Sequence, residues 1–262
     1  MRLGPLGAEA APCESCEAWV LMRQRTLARL RAGEEGVAPP ERAIAEAQLQ
    51  VGEAQPGDLV CRIGRPVTYW FGVVDGLLKM SNDASQGPAV TFTGVPPGAW
   101  FGEGTLLKQE PYRYNVQAIR RSVVGGLPID TFHWLLDHSI GFNRFVMSQL
   151  NERLGQFIAA REIDRMSNPD LRVARNLAAL FHPQLYPGVG GLLRITQQEL
   201  GFLVGLSRQR VNEALKALQA QGLIRIEYGG VRVRDLAGLR RFAPSLAEAG
   251  AGKDVPATER AI

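Results

Sequence analysis

The segment from Ile195 to Leu223 constrains the fold of this chain more than any other part of it. It reads ITQQELGFLVGLSRQRVNEALKALQAQGL. Thr196 with Glu199 three residues later forms a capping box, which fixes the start of a helix. Gly205 ends that helix, because the residue after a helix often needs a positive φ, and Ser207 caps a second helix. The segment therefore predicts a helix-turn-helix unit.

The second helix of this unit carries an apolar stripe and an opposite polar face. The stripe consists of Val211, Leu215 and Leu218, and the polar face consists of Arg208, Gln209, Asn212 and Glu213. The N-terminal part of such a helix enters the major groove of DNA. We therefore predict DNA contacts by this face and by three residues beside it, namely Thr196, Ser207 and Arg210. The alternating run around Gly229-Gly230 predicts a hairpin behind the helix, which is a wing.

Charge supports an interaction with DNA phosphates. The segment from Gly190 to Phe242 contains nine Lys and Arg residues and four Asp and Glu residues, which gives it a net charge of +5. The whole chain carries a net charge of +4. The basic excess is therefore confined to the predicted winged helix-turn-helix, as a phosphate-binding surface requires. The alternative is a winged helix that contacts proteins.

Two zones precede this unit. From about residue 48 to 135, Gly and Pro recur between short β-rich runs, which is typical of a small antiparallel sandwich or barrel. An open α+β sheet is the alternative.

From Ser139 to Met166 the pattern is helical, and Asn168-Pro169 ends the helix. The apolar residues Val146, Leu150, Leu154, Phe157 and Ile158 recur at helical spacing. A second copy of this helix would cover them and form a dimer interface; packing on its own β domain is the alternative.

The order of β domain, long helix and winged helix-turn-helix resembles the Crp/Fnr family of bacterial transcription regulators. A second local similarity is Gly98-Ala99-Trp100-Phe101-Gly102-Glu103, followed by Arg113. The resemblance implies an α+β fold with an N-terminal double-stranded β-roll. The expected divisions are a variable N-terminal helical segment (1–47), a β-roll sensor domain (48–138), a dimerisation helix (139–167), a DNA-binding domain (168–242) and a flexible tail (243–262).

The resemblance also implies an effector site. In the family the Gly98–Arg113 stretch is a phosphate-binding cassette for cyclic nucleotides. Transferred to this chain, the cradle consists of Gly102, Glu103, Gly104 and Thr105, with Glu103 on the ribose and Arg113 on the phosphate. Tyr114, next to Arg113, is the sixth candidate effector contact. In cyclic-AMP binders a small residue follows the Arg, where this chain has Tyr114, and a Thr-Ser pair reaches the adenine, where this chain has Phe157-Ile158. We therefore expect weak recognition of cyclic AMP. A Glu103–Arg113 salt bridge without a ligand is the alternative.

The family's base-reading positions correspond to Arg208, Gln209 and Glu213. Arg208 suits guanine, Gln209 suits adenine, and Glu213 could accept a hydrogen bond from cytosine or orient Arg208 or Arg210. Arg210 or Asn212 would then contact phosphate. The partners implied are double-stranded DNA, a second copy of the chain and RNA polymerase.

Cysteine and histidine usage restricts the chemistry. Three cysteines (Cys13, Cys16 and Cys61) exclude a disulfide-dense scaffold and cannot supply the four thiolates of an iron–sulfur cluster. Three dispersed histidines and the absence of catalytic motifs predict neither a metal site nor an enzyme. No apolar run is long enough to cross a bilayer, and no signal peptide is evident, so we expect a cytoplasmic protein. Two alternatives are a ligand-independent regulator and a regulator controlled by thiol oxidation at Cys13 and Cys16.

Overall fold

The computed structural model describes residues 4–5, 38–82 and 90–243. Most of the variable N-terminal helical segment predicted for residues 1–47, the Cys13–Cys16 pair and the tail beyond Ala243 lie outside the described residues. Among the described helices, none is both long enough and apolar enough to span a membrane.

The N-terminal part is built on two antiparallel sheets. One sheet has the strand order β1-β2-β9-β4-β7 and the other β3-β8-β5-β6. The strands are β1 (Gly4–Pro5), β2 (Gln50–Ala54), β3 (Leu59–Cys61), β4 (Tyr69–Asp75), β5 (Leu78–Asn82), β6 (Val90–Val95), β7 (Trp100–Phe101), β8 (Asn115–Ala118) and β9 (Ser122–Pro128). Together β1–β9 are called the roll. Helices α1 (Pro39–Gln48) and α2 (Glu103–Lys108) flank its strands.

Side chains from both sheets of the roll form one buried cluster. Phe71 and Val124 from the first sheet pack with Leu78 and Val116 from the second. Strands with a buried inner face of this kind are stabilised by removing apolar surface from water. The predicted β-roll architecture is confirmed.

Helices α3 (Ile129–His138) and α4 (Ile140–Asp164) follow the roll. Ser139 separates them and caps α4, since its side chain accepts a hydrogen bond from the Phe142 N–H. One face of α4 packs on the roll through an aromatic cluster in which the Trp70 ring meets Trp100 at 4.4 Å and Phe142 at 5.7 Å between centroids. This packing fixes the N-terminal half of the long helix against the roll.

The remaining elements form a second buried cluster, here called the C-terminal unit. Its helices are α5 (Pro169–Ala179), α6 (Gln197–Val204), α7 (Arg208–Ala220) and α8 (Leu236–Arg241), and its small sheet has the order β10 (Leu192–Leu193), β12 (Gly230–Val233), β11 (Ile224–Glu227). The apolar stripe predicted for the second helix, Val211, Leu215 and Leu218, is fully buried in this cluster. The structure thus confirms the α+β fold with a winged helix-turn-helix at its C-terminal end.

The C-terminal unit also packs on the roll. Leu77, from the turn before β5, is fully buried within the cluster of the C-terminal unit, and Ile119 packs against the same cluster. The Arg120 guanidinium lies 3.6 Å from the Glu199 carboxylate at the start of α6 and donates a hydrogen bond to the Arg194 carbonyl. Apolar contacts and a partly exposed ion pair therefore join the two parts.

Candidate DNA-binding surface and effector cavity

The start of α6 and the turn between α6 and α7 are fixed by local interactions. The Thr196 hydroxyl accepts from the Glu199 N–H at 3.1 Å, and the Glu199 carboxylate accepts from the Thr196 N–H at 2.7 Å. Gly205 ends α6 with φ of +67°. The Ser207 hydroxyl accepts from the Arg210 N–H at 3.2 Å. Thr196 and Ser207, which we predicted as DNA contacts, therefore use their side chains as helix caps in this structure.

The first turns of α7 present an exposed polar face. Arg208, Gln209 and Glu213 are all exposed. The Gln209 side-chain amide lies 3.3 Å from the Glu213 carboxylate and donates to it. Glu213 is thus positioned to orient Gln209, a partner that the sequence analysis did not consider.

Two other residues of α7 are held by neighbouring helices. The Arg210 guanidinium is 2.6 Å from the Asp170 carboxylate of α5 and 3.6 Å from that of Glu213. The Asn212 side chain accepts from the Gln197 amide of α6 at 2.9 Å. These contacts orient α7 within the C-terminal unit and occupy the side chains that we predicted for phosphate.

The wing continues the basic surface. The Arg232 guanidinium is 2.6 Å from the Glu227 carboxylate across the hairpin, and this hydrogen bond holds the pKa of Glu227 below its ordinary value. Tyr228 at the turn is fully exposed. A groove of about 370 Å³ between α6, α7 and the wing is lined by residues that include Thr196 and Arg208. The exposed start of α7 and the wing therefore border one continuous groove.

A larger cavity of about 530 Å³, here called the roll cavity, lies between the roll and α4. All six residues that the sequence analysis assigned to an effector line it: Gly102, Glu103, Gly104, Thr105, Arg113 and Tyr114. Apolar side chains from β5, β6 and α4 complete the wall, including Met80, Phe92 and Phe157. Its volume is within the range of small-molecule sites, about 300–1,000 Å³.

A buried ion pair forms one wall of the roll cavity. The Arg153 guanidinium of α4 lies 3.3 Å from the Glu103 carboxylate, and the two side chains are 8% and 4% exposed. Burial acts to lower the pKa of Arg153, but the Glu103 carboxylate opposes it, and the pKa lies above its ordinary value. Among the described residues, Glu103 Oε2 and Arg153 Nη1 have no hydrogen-bond partner. The buried pair therefore leaves one acceptor and one donor unsatisfied in the wall of the cavity. Arg153 was not among the predicted site residues, because no local pattern marks a contact between residues 50 positions apart.

Glu103 and Arg113 do not pair as the sequence analysis considered. Arg113 instead contacts Glu110 at 2.8 Å, and its side chain is 74% exposed. Tyr114 lies inside, with its hydroxyl about 4.0 Å from the position that a β-carbon on Gly102 would occupy. Burial raises the pKa of Tyr114, so its hydroxyl keeps its proton. The salt-bridge alternative is therefore corrected: burial selects Arg153 as the partner of Glu103, while Arg113 reaches solvent.

The five apolar residues that we assigned to a dimer interface divide between two faces of α4. Val146 is buried against the roll, and Leu150 and Phe157 pack partly on it. Leu154 and Ile158 are instead 60% and 58% exposed. They share the outward face with two residues that the sequence analysis did not include, Ile140 and Met147, which are 74% and 59% exposed. For Val146 the assignment is corrected, because the chain itself buries this side chain; Leu150 and Phe157 are only half-buried and remain predicted interface residues.

Cys61 is buried, and this burial raises the pKa of its thiol to about 12. It is therefore not poised to act as a thiolate. No group of three or more His, Cys, Asp or Glu arranged to hold a metal occurs within residues 38–82 and 90–243.

Comparisons with known proteins match both parts of the chain. Residues 52–139 match the family described as "Cyclic nucleotide-binding domain" and residues 171–242 the one described as "Crp-like helix-turn-helix domain". Transcriptional regulator SdrP of Thermus thermophilus is 30% identical over 179 residues, which cover 67% of this chain and 84% of that protein. A CRP-like cAMP-activated global transcriptional regulator of Mycobacterium tuberculosis is 28% identical over 223 residues, with 80% and 95% covered.

The structure of FixK2 from Bradyrhizobium japonicum has the same fold. It superposes with a TM-score of 0.60 at 18% identity and covers 74% of this chain and 96% of that one. The curated relatives named here are transcription regulators rather than enzymes.

Proposed function

Because the chain belongs to the Crp/Fnr family and is a DNA-binding transcription regulator with an effector-binding domain, we propose that it reads an inverted repeat as a homodimer under the control of a small anionic effector. The exposed face of α7 beside the wing carries the proposal for DNA. The proposed units are the β-roll sensor domain (48–138), the dimerisation helix (139–167) and the DNA-binding domain (168–242). The proposed location of the protein is the cytoplasm, and RNA polymerase is its second proposed macromolecular partner beside DNA.

Arg208 and Gln209 are the proposed base-reading residues. Both are exposed at the start of α7, where residues of a recognition helix reach base edges. Arg208 suits the O6 and N7 atoms of guanine, and Gln209 suits adenine. The contact of Glu213 with Gln209 favours a role in orienting that amide. Arg210 is a weaker candidate for a DNA contact than Arg208, since its guanidinium is already paired with the Asp170 carboxylate.

The outward face of α4 is the proposed dimer interface. Ile140, Met147, Leu154 and Ile158 are separated by seven, seven and four residues, which is the spacing of a coiled-coil seam. All four are more than half exposed in the single chain. A second copy would bury this row. Two recognition helices would then meet half-sites about one helical turn apart, roughly 34 Å centre to centre.

The roll cavity is the proposed effector site. Its lining carries four basic residues (Lys108, Arg113, Arg153 and Arg161) and two acidic ones (Glu103 and Glu110). This excess favours an anion, and the free Glu103 Oε2 can accept from a ligand hydroxyl. Phe157, at the position expected for adenine, offers no hydrogen bond and faces the Phe92 ring at 6.4 Å. We therefore propose an effector other than cyclic AMP.

The affinity for a selected palindromic DNA at fixed salt tests this function. The purified protein should bind it at least about 10³-fold more tightly than random DNA, which is the lower end of the specificity ratios of sequence-specific regulators. Arg208→Ala should lower this preference, whereas Arg62→Ala, an equal loss of charge at an exposed site of the roll, should not. An absence of any specific site would refute the proposal.

Cyclic AMP added to the same assay should leave the affinity for DNA unchanged. A tenfold gain in that affinity, about 1.4 kcal/mol, would identify cyclic AMP as the effector.

A further inference from the structure

The segment of residues 182–189, which connects α5 to β10, is anchored in the roll. Leu185 and Tyr186 are each 1% exposed and belong to the buried cluster of the roll. The Tyr186 hydroxyl donates to Gln156 Oε1 of α4 at 3.0 Å and accepts from its Nε2 at 2.7 Å. The same Nε2 lies 3.4 Å from the Thr93 hydroxyl of β6. One glutamine therefore joins the long helix, the roll and the segment that leads into the C-terminal unit.

Two further contacts hold this segment on α4. The Gln149 amide donates to the Gln184 carbonyl at 3.3 Å. His182 Nε2 lies 3.1 Å from the Glu152 carboxylate, while its Nδ1 accepts from the N–H groups of Gln184 and Leu185. Because Nδ1 accepts, the ring proton lies on Nε2 and is donated to Glu152. Burial keeps the pKa of His182 below its ordinary value, which favours this neutral form.

The backbone of the segment touches the roll closely enough to exclude side chains. A β-carbon on Gly188 would lie 2.4 Å from the Pro97 carbonyl oxygen, and one on Gly98 would lie 2.4 Å from the Gly188 nitrogen. Beside this contact, a β-carbon on Gly94 of β6 would lie 2.8 Å from Leu203 of α6. The first helix of the helix-turn-helix thus packs directly on the strand that carries Thr93.

The two elements that hold this segment also line the roll cavity. On α4, Arg153 immediately follows Glu152 and Phe157 immediately follows Gln156, and both line the cavity. On β6, Phe92 lines the cavity and Thr93 follows it. A ligand that shifted α4 or β6 would therefore displace the hydrogen-bond partners of Tyr186.

We propose that residues 182–189 form a clasp that holds the C-terminal unit on α4 and β6 and transmits the state of the roll cavity to α6. The inference rests on the proposed function, because it takes the cavity as the effector site. A ligand acts through the clasp only if it favours one arrangement of α4 over another. The net free energy of one hydrogen bond corresponds to a factor of about 2 to 12 in an equilibrium constant. Loss of the Tyr186–Gln156 hydrogen bonds should therefore change the equilibrium between the arrangements of α4 severalfold.

Amide hydrogen exchange on the full-length protein tests whether the clasp exists. In Tyr186→Phe, exchange should rise at least about threefold in residues 182–189 and in α6. The matched control is Tyr69→Phe, which breaks another tyrosine–glutamine hydrogen bond, to Gln50 at 3.1 Å, between β4 and β2. It should leave those peptides as they are in the wild type. If Tyr186→Phe does not fold, Thr93→Val removes the third member of the network. Equal exchange in the clasp variant and the control would overturn the proposal.

A double-mutant cycle tests whether the clasp transmits. Glu103→Gln changes the ion pair at the roll cavity, and Tyr186→Phe opens the clasp. Each should change the affinity for palindromic DNA by about threefold to tenfold, and the double variant should change it by less than the product of the two factors. Effects that multiply would show that the clasp carries no signal from the cavity. Failure of the wild type to bind DNA would refute the proposed function instead, and the exchange experiment, which needs no DNA, would still decide whether the clasp exists.

Discussion

Two arginine–glutamate pairs border the roll cavity, and mutations in them should lower the stability of the protein by very different amounts. The Arg153–Glu103 pair is longer, at 3.3 Å, but its side chains are only 8% and 4% exposed. The Arg113–Glu110 pair is shorter, at 2.8 Å, but 74% and 25% exposed. Because water screens the exposed pair and not the buried one, burial rather than distance should decide the effect on stability.

The sizes of the two effects follow from this difference in burial. Arg153→Met leaves the Glu103 carboxylate buried without a cation, which should lower the free energy of unfolding by about 3–5 kcal/mol. Arg113→Met removes an exposed pair and should lower it by about 0–1 kcal/mol. For a chain of this length, 1 kcal/mol corresponds to about 2–4 °C in Tm. We therefore expect Tm to fall by roughly 6–20 °C for the buried pair and by less than about 4 °C for the exposed one.

Urea unfolding followed by tryptophan fluorescence measures this difference. Arg153 also donates to the Trp100 carbonyl, and Trp100 contacts Trp70, so the signal reports on the roll next to the pair. Glu103→Leu combined with Arg153→Met should restore most of the stability, because both buried charges are then removed. Equal costs for Arg153→Met and Arg113→Met, or a double variant less stable than Arg153→Met, would refute the reasoning.

Four further predictions follow from the same structure. Arg208→Ala should weaken binding to the selected palindrome by about 1–3 kcal/mol in fluorescence anisotropy and relax one base preference; unchanged affinity would remove Arg208 from the groove. Leu154→Asp should shift the protein to a monomer in sedimentation equilibrium, whereas an unshifted mass would place the dimer interface elsewhere. Cys61 should resist alkylation at pH 8 until the protein unfolds, because its pKa is about 12; labelling of the folded protein would contradict its burial. His182 has a lowered pKa in the folded state, so the free energy of unfolding should fall as the pH drops below about 6.5, and His182→Asn should flatten that part of the pH profile.

The helix-turn-helix could be predicted because the interactions that form it are local. The Thr196–Glu199 capping box spans three residues, and Gly205 and Ser207 act on the helices next to them. Each leaves a recognisable residue at a fixed spacing. The structure shows these hydrogen bonds at the predicted positions.

The partners inside the roll cavity could not be predicted in the same way. Arg153 lies 50 residues from Glu103, and an arginine on a helix is usually a solvated side chain. The two faces of α4 posed a related difficulty. Val146 and Leu150 lie on one face, and Leu154 and Ile158 are exposed, yet all four fit one helical spacing. Only the position of the roll decides which apolar residues are covered.

The burial of Leu77 within the cluster of the C-terminal unit means that the DNA-binding part is not an interchangeable module. A fragment of residues 168–242 would lose Leu77 and Ile119 from its apolar packing and the Arg120 contact at the start of α6. Such a fragment would expose the side of α6 that Gly94 approaches so closely. Chimaeras that join this roll to the DNA-binding part of another regulator would inherit the same mismatch unless the residues on both sides were exchanged together.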